Sequence, residues 1–558
     1  MPVEWLEEVR RTDEDSILEV AKHLPAEAGE ALLELALGRP KIPHLPATVR
    51  VFAGADTASL TRQDRPFDHP DAQRRFRTIS SVEELERALD SPWEKWTVFL
   101  HPEQRKWVEA DYNGPVRVSG SAGTGKTVVA IHRAVFLARA NPDSRVLLTT
   151  YSDILANALR TQLWRLISKE PRMAERLEVH SIDAMGQRLL RSQPWQPTIV
   201  TPEQVRALMK EAAATVSGHK FTMTFLLSEW EQVVDAWQLD TWESYRDVKR
   251  LGRKTRLPEA QRAVLWSIFD RVRTSLATEN MVTQAGLLSK LATTMAERKH
   301  PPFDFAVIDE AQDFGVAQLR FLAALGAGRP NALFFTGDLG QRIFQQPFSW
   351  RALGVDIRGR SRTLHVNYRT SHQIRSQADR LLSKEVSDVD GNKEDRSRTI
   401  SVFNGPAPTI QVLSSTGEER DFVRTWILDL TKQGLMPHEF GVFVRSAAEL
   451  DRARAAVEST GLPFKVLDDY VETTSGQISV STMHLAKGLE FRAVVVMACD
   501  DEVIPLQERI ETVTDDSDLE EVYNTERHLL YVACTRARDH LLVTSAAPAS
   551  EFLDDMRK

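Results

Sequence analysis

The sequence predicts an α/β protein with two parallel-sheet halves in series, a helical insertion in the first half, and a small, mostly helical N-terminal region. Three observations predict it. From about Trp93 onward, short apolar runs alternate with helical periodicity, as in a mostly parallel sheet covered on both faces. Between Pro194 and His300 the strand-like runs give way to helical patterns. A second series of apolar runs starts near residue 410 and continues almost to the C-terminus. At 558 residues, the chain exceeds what one hydrophobic core usually serves.

Taken in order, residues 1–45 read as helical, with one periodic run over 17–24 and a second that Pro25 opens and Gly38 closes. The segment RPKIPHLP, 39–46, reads as a linker, 48–52 as a strand and 82–89 as a helix. Residues 1–92 therefore form an accessory region whose side chains reveal no chemistry. The first half, 93–193 and 301–355, carries predicted strands at 116–120, 146–150, 305–309 and 333–337, with a further strand at 364–367. The insertion, 194–300, is rich in tryptophan and basic residues: Trp230, Trp237, Trp242, Lys249, Arg250, Arg253, Lys254 and Arg256. Helical tryptophans at such spacings fit a core, and the basic residues fit a nucleic-acid contact. The second half, 356–558, carries predicted strands at 410–413, 441–445, 464–467, 479–483, 494–497 and 541–544. The acidic run DDSDLEE, 515–521, reads as a solvated loop.

Composition narrows the function classes. The formal net charge of -8 means that any nucleic-acid surface must be a local groove on an acidic body. Two cysteines, Cys499 and Cys534, can form neither a disulfide framework nor a metal site at their spacing, and both read as small buried residues. No apolar run is long enough to span a membrane, and the N-terminal MPVEWLEEVRRTDED has no signal-peptide core, so a cytoplasmic protein without a membrane partner is expected.

The chemistry is organised around 115–140, PVRVSGSAGTGKTVVAIHRAVFLARA. Gly120, Ser121, Ala122, Gly123, Thr124, Gly125, Lys126 and Thr127 fit G-x-x-x-x-G-K-[ST], the phosphate-binding loop between a strand and a helix. Glycines let successive N–H groups point at an anion, and the helix that follows presents its positive end. Lys126 would reach the β- and γ-phosphates of ATP, and the Thr127 hydroxyl would hold Mg²⁺. Downstream, FAVIDEAQD places Asp309 and Glu310 at the end of an apolar strand, where open α/β sheets bind ligands. Asp309 would hold Mg²⁺, and Glu310 would position and deprotonate the attacking water.

With these residues in view, the chain resembles a superfamily 1 helicase of the UvrD/Rep type, over about residues 99–545. Further motifs follow in the order of that family. Gln104 in LHPEQRKWV resembles its adenine-reading glutamine; TYSD with Tyr151 and VHS with His180 resemble two motifs that contact single-stranded DNA. TGDLGQ ends in Gln341, a γ-phosphate sensor by resemblance, and Phe344 and Trp350 follow where the family places stacking aromatics. In NYR, Asn367 to Arg369, the resemblance puts Tyr368 on adenine and Arg369 on the γ-phosphate. TMHLAKGLEF joins a DNA contact, His484, to a nucleotide contact, Glu490, and YVACTRA supplies Arg536 as a finger on the transferred phosphate.

The resemblance implies two RecA-like P-loop domains in tandem, ATP and Mg²⁺ as cofactors, and single-stranded and tailed duplex DNA as partners. It implies ATP-driven 3′ to 5′ movement on single strands with unwinding of duplex. The alternative is a DNA-stimulated ATPase that serves as a switch or motor subunit of a repair or defence complex without unwinding of its own. Two departures bear on this. Val128 stands where many members have an adenine-stacking arginine, and only 468–477 lies where full-size members carry a large regulatory insertion, the 2B subdomain.

Overall fold

The computed structural model describes residues 100–557, apart from 101, 169, 249–256, 327, 339–347, 368, 383–384, 388–389, 392, 396–397, 402–403, 469–472 and 512–515. All of these belong to one compact unit of the chain. The readings made for residues 1–92, for Lys249, Arg250, Arg253, Lys254 and Arg256, and for Gln341, Phe344 and Tyr368 lie outside the described residues.

Two six-stranded parallel sheets organise the fold. The first holds β1 (Val116–Gly120), β2 (Val146–Thr150), β3 (Leu177–Ser181), β4 (Phe305–Ile308), β5 (Leu333–Gly337) and β6 (Ser361–Leu364), in the order β3-β2-β4-β5-β1-β6. The second holds β7 (Thr409–Leu413), β8 (Phe440–Val444), β9 (Phe464–Val466), β10 (Ile478–Thr482), β11 (Phe491–Val496) and β12 (Ala537–Ala546), in the order β7-β12-β11-β8-β10-β9. Every residue of β1, β2, β5 and β8 is buried, as expected for strands covered on both faces, including the polar Arg117 and Ser119 of β1 and Thr149 and Thr150 of β2.

The two halves part further along the chain than the sequence reading places them. Ser361–Leu364 pairs with β1, so the first sheet runs past residue 355. The predicted strand over 364–367 is two pieces: β6 ends at Leu364, and Val366–Asn367 pairs instead with Ile400–Ser401. Between Pro202 and Glu297 the described residues are mostly helical and include a π-helical turn at Trp230–Asp235, while Thr198–Ile199, just before this stretch, pairs with Met281–Val282 within it. Trp230, Tyr245, Leu265 and Phe269 form a separate core there, so Trp230 packs rather than faces solvent. Helix Gln284–Glu297 packs its Leu287, Leu288, Leu291 and Met295 on the first sheet.

A further expectation is corrected here. The acidic run at 515–521 is not a loop, because helix Asp516–Cys534 begins within it. Carboxylates favour the positive end of a helix dipole, so such a run suits a helix start. In the second half, β9 passes to β10 across residues 467–477. Among the described residues, no helix is long and apolar enough to cross a membrane.

Candidate nucleotide-binding cleft

The loop after β1 is shaped by two glycines. Gly123 and Gly125 take φ of +79° and +80°, where a side chain would be strained. A side chain there would also have to displace a neighbour: a Cβ at Gly125 would lie 2.4 Å from Gln104 Nε2, and one at Gly123 would lie 2.4 Å from Asn367 Oδ1. Gln104 is buried and donates to Thr124 O at 2.8 Å, so it braces the loop directly. Thr124 Oγ1 donates to Ser121 O at 2.9 Å. Helix Lys126–Ala140 then starts, and its Val128, Val129, Ile131, Ala134 and Val135 pack into the core on this side of the sheet. Lys126 Nζ donates to Gly120 O at 2.7 Å and to Ser121 O at 3.0 Å, turning its ammonium back onto its own loop.

Directly after β4, Asp309 and Glu310 face this loop. Asp309 is buried, accepts a hydrogen bond from Thr336 Oγ1 at 2.6 Å, and is hydrogen-bonded to Thr127. Burial, and then the Glu310 charge, push its pKa up to about 6. Glu310 takes the left-handed backbone conformation (φ 55°, ψ 42°), which is uncommon for a residue with a side chain and turns it away from the strand path. Burial by itself would raise the Glu310 pKa, but Lys487, Lys126, a hydrogen bond from Gln312 and Arg536 outweigh it and hold the carboxylate below its ordinary range. Gln312 thus donates to Glu310 through Nε2 while its Oε1 accepts from Asp338 N at 3.0 Å, tying the acidic pair to the end of β5.

The second half completes the cleft. Arg369, Thr370, Gly488, Glu490, Thr535, Arg536 and Arg538 line one space with Gly123, Gly125, Lys126, Thr127, Asp309 and Glu310, about 850 Å³ including its open mouth. Arg369 forms an ion pair with Glu490. Burial, and then the neighbouring Arg536 cation, pull the Arg369 pKa down to about 10, which leaves it charged at neutral pH. Burial also lowers the pKa of Arg536, whose Nε donates to Val532 O at 3.0 Å. Lys487 crosses between the halves: its ammonium contacts Asp313 and lies 3.5 Å from Glu310 Oε2. Burial would depress the Lys487 pKa, but Asp313 and Glu310 outweigh it and hold it at about 12.

The cleft therefore brings together Lys126, Thr127, Asp309, Glu310, Arg369, Glu490 and Arg536 among the described candidates. Residues 100–352 match the UvrD/REP helicase N-terminal domain, and residues 468–547 match the UvrD-like helicase C-terminal domain. The chain belongs to the UvrD/Rep helicase family. A Mycoplasma pneumoniae protein described as a "Probable DNA helicase" is 24% identical over 480 residues, covering 81% of this chain and 84% of that protein. ATP-dependent DNA helicase UvrD2 of Mycobacterium bovis is 25% identical over 390 residues, 66% of this chain and 55% of that protein. UvrD1 of Mycobacterium tuberculosis is 33% identical over a shorter stretch of 128 residues, 21% of this chain and 15% of that protein. A solved C-terminal domain of a possible DNA helicase from Lactobacillus covers 34% of this chain at 19% identity, with a TM-score of 0.23.

The described strand-contact candidates of this UvrD/Rep-type chain lie outside the cleft lining. Tyr151 is half-buried against the core of the first sheet. His180, in β3, has Nε2 at 3.0 Å from Arg188 Nη1 and 3.4 Å from Glu178; burial and then Arg188 lower its pKa, which favours the neutral ring. His484 is exposed at the turn before Lys487. Trp350 corrects the sequence reading. It is only 4% exposed, packs edge-on to Phe335 with centroids 5.1 Å apart, and lies under the Arg117 guanidinium, so its ring is a core element and not a platform for a base.

Several cleft residues were missed at the level of sequence. Asn367 and Lys487 stand inside quoted motifs, NYR and TMHLAKGLEF, yet drew no role of their own. Gln312 and Asp313 stand in the DEAQD run, and Thr336 opens the TGDLGQ run. Their shared signal is a polar residue inside an otherwise apolar or motif-bound stretch that ends up buried: Asp313, Thr336 and Asn367 are completely inaccessible.

Proposed function

We propose that this chain binds ATP in the cleft between its two sheets, hydrolyses it, and couples hydrolysis to 3′ to 5′ movement along single-stranded DNA with separation of duplex. One observation carries the reading: Lys126, Thr127, Asp309 and Glu310 from the first half and Arg369, Glu490 and Arg536 from the second line the same space. On this reading the halves are RecA-like domains 1A and 2A that part at residues 365–367, the insertion 194–300 is 1B-like, and residues 467–477 stand where a 2B insertion would be.

The residues define the chemistry by position. Backbone N–H groups of the Gly123–Lys126 stretch and the start of helix Lys126–Ala140 face the phosphates, and Lys126 exchanges its two loop carbonyls for phosphate oxygens. Glu310, kept deprotonated by Lys487, Lys126 and Arg536, accepts a proton from the attacking water as its oxygen bonds to the γ-phosphorus and the bond to ADP breaks. Arg369 and Arg536 stabilise charge on the transferred group, and a finger of this kind is worth roughly 10³ to 10⁵ in rate. Thr127 and Asp309 are hydrogen-bonded to each other, and their hydroxyl and carboxylate oxygens are the hard ligands that suit Mg²⁺ held by few protein groups plus phosphate. Mg²⁺ there would neutralise developing charge on the phosphates. Gln104 would read adenine beside the loop, with Tyr368 stacking on it and Gln341 sensing the γ-phosphate, while Tyr151, His180, Phe344 and His484 would meet the strand.

ATP hydrolysis measured with and without single strands, followed by unwinding of 3′- and 5′-tailed duplexes, tests the reading. Strand-stimulated turnover with unwinding of only the 3′-tailed substrate supports it, and turnover indifferent to single strands sinks it. Stimulated hydrolysis without unwinding would favour a motor subunit or switch in a repair or defence complex, a reading that the short connection at 467–477 supports.

A further inference from the structure

Asn367 joins the two halves through one buried carboxamide. Its Nδ2 donates to Ala122 O in the phosphate-binding loop at 2.9 Å. Its Oδ1 accepts from Arg369 N and from Thr370 N, each at 2.9 Å. The side chain is completely buried, and its amide lies so close against the loop that a methyl group at Gly123 would have to displace it. A carboxamide carries a donor and a two-lone-pair acceptor side by side, so each bond uses a different capacity of the group. A second tie runs parallel to it: Ser121 Oγ donates to Thr399 Oγ1 at 3.3 Å, and Thr399 precedes the strand Ile400–Ser401 that pairs with Val366–Asn367. Two consecutive loop residues are thus held by one small strand pair. From the far end of that pair, the Asn367 oxygen fixes the turn that projects Arg369 into the cleft.

We propose that Asn367 is a positioning residue that transmits the position of the phosphate-binding loop to Arg369. The proposal rests on the reading of the cleft as an ATPase site. When phosphates enter the loop, Lys126 releases Gly120 O and Ser121 O, and the adjoining Ala122 carbonyl moves with them. The Asn367 amide follows that carbonyl, and its oxygen moves the two amides that set the Arg369 turn. The arginine is thereby placed on the transferred phosphate only when the loop holds a nucleotide.

The substitution Asn367→Asp separates this role from folding. An ionised aspartate still accepts from Arg369 N and Thr370 N, but it has no donor for Ala122 O and sets a negative charge against that carbonyl. Strand-stimulated kcat should fall about tenfold or more, because an unmade bond to a charged group is costly. The KM for ATP should move less than about threefold, since the loss falls on the transition state. In an Arg369→Ala background the same change should add less than about twofold, because the two residues act as one unit. Equal losses in both backgrounds, or none in either, overturn the proposal. Asn367→Ser, neutral and long enough to cap only the turn, is the second variant and is read the same way. Hydrogen exchange over residues 366–371, with and without a non-hydrolysable ATP analogue, needs no turnover. Nucleotide-dependent protection of Arg369 and Thr370 that vanishes in both variants supports the link even if no strand-stimulated hydrolysis exists. Protection that survives in them refutes it.

Discussion

Replacing Lys487 with alanine tests whether the two halves are joined by charge at Glu310, the proposed catalytic carboxylate. The ammonium contacts Asp313, whose side chain is 0% exposed, and lies 3.5 Å from Glu310, whose side chain is 14% exposed. Removing one member of a buried pair leaves the other charge uncompensated, which costs about 3 to 5 kcal/mol. The lower end applies here, because the lysine side chain is itself 10% exposed and the cleft admits water that can reach the orphaned carboxylates. Lys487→Ala should therefore lower the unfolding free energy by about 3 kcal/mol, and adding Asp313→Asn, which removes the orphaned charge, should recover most of it. The same change acts on the Glu310 proton. Burial alone would raise that pKa, and Lys487 is the strongest of the charges that hold it down, so its loss moves the pKa upward. A base with a raised pKa is protonated over more of the acid range, so the acid limb of the kcat profile should shift to higher pH, with a larger rate loss in mildly acidic than in mildly alkaline buffer. Urea unfolding followed by circular dichroism reads the first effect, and a pH profile of strand-stimulated ATPase reads the second. A variant within about 0.5 kcal/mol of the parent, with its acid limb unmoved, would show that the Lys487 contacts carry neither stability nor catalysis.

Lys126→Ala and Glu310→Gln should each abolish ATP turnover while single-strand affinity, measured at fixed salt by fluorescence anisotropy, survives. Retained turnover in either would remove the site assignment. Gly123→Ala places a methyl group 2.4 Å from Asn367 Oδ1 at a φ of +79°. It should cost about 1 to 2 kcal/mol of stability for the backbone alone and weaken nucleotide binding in a titration with a fluorescent ATP analogue. Trp350→Ala should destabilise by about 3 to 5 kcal/mol in thermal or urea unfolding and leave the strand affinity of the folded fraction unchanged. A large drop in affinity without a stability loss would return Trp350 to the DNA surface.

How much could be read in advance depended on how local the determining physics is. Strands buried on both faces carry their signal in one apolar run, and β1, β2 and β5 stand at the predicted positions. β3 alternates buried and half-buried residues at the sheet edge, and no strand was predicted there; β12 runs from Ala537, although only its apolar middle, 541–544, was predicted. The glycine-rich loop and the acidic pair were legible as cleft residues because each is a short run of the residue types that a phosphate group or its metal ion would call for. Contacts between the halves were not. Asn367 and Ala122 lie 245 residues apart, and Lys487 and Asp313 lie 174 apart, so no spacing rule connects them. Trp350 failed for the reverse reason: an aromatic after a glutamine motif suits stacking on a base and packing on Phe335 equally well, and only the fold decides which.

The charge arrangement in the cleft gives a physical basis for coupling between the halves. Lys126 is satisfied by two carbonyls of its own loop, Arg369 by Glu490, and Lys487 by Asp313 and Glu310. The cations that would bind a triphosphate are thus already paired, and nucleotide must compete with partners drawn from both halves. Lys126 exchanges partners inside the first half, but Arg369 can reach a γ-phosphate only by loosening a contact inside the second, while Lys487 holds the two together at Glu310. Each exchange takes place among buried groups, where an unpaired charge is expensive, so intermediate pairings are disfavoured and the rearrangement tends toward all or none. Two discrete arrangements of one interface, selected by the presence of a γ-phosphate, would suit the strand movement proposed above. If hydrolysis is coupled to movement as proposed and Arg369→Lys, which keeps the charge but loses the planar fork, retained that coupling in full, this geometric exchange would not be its source and charge neutralisation alone would have to account for it.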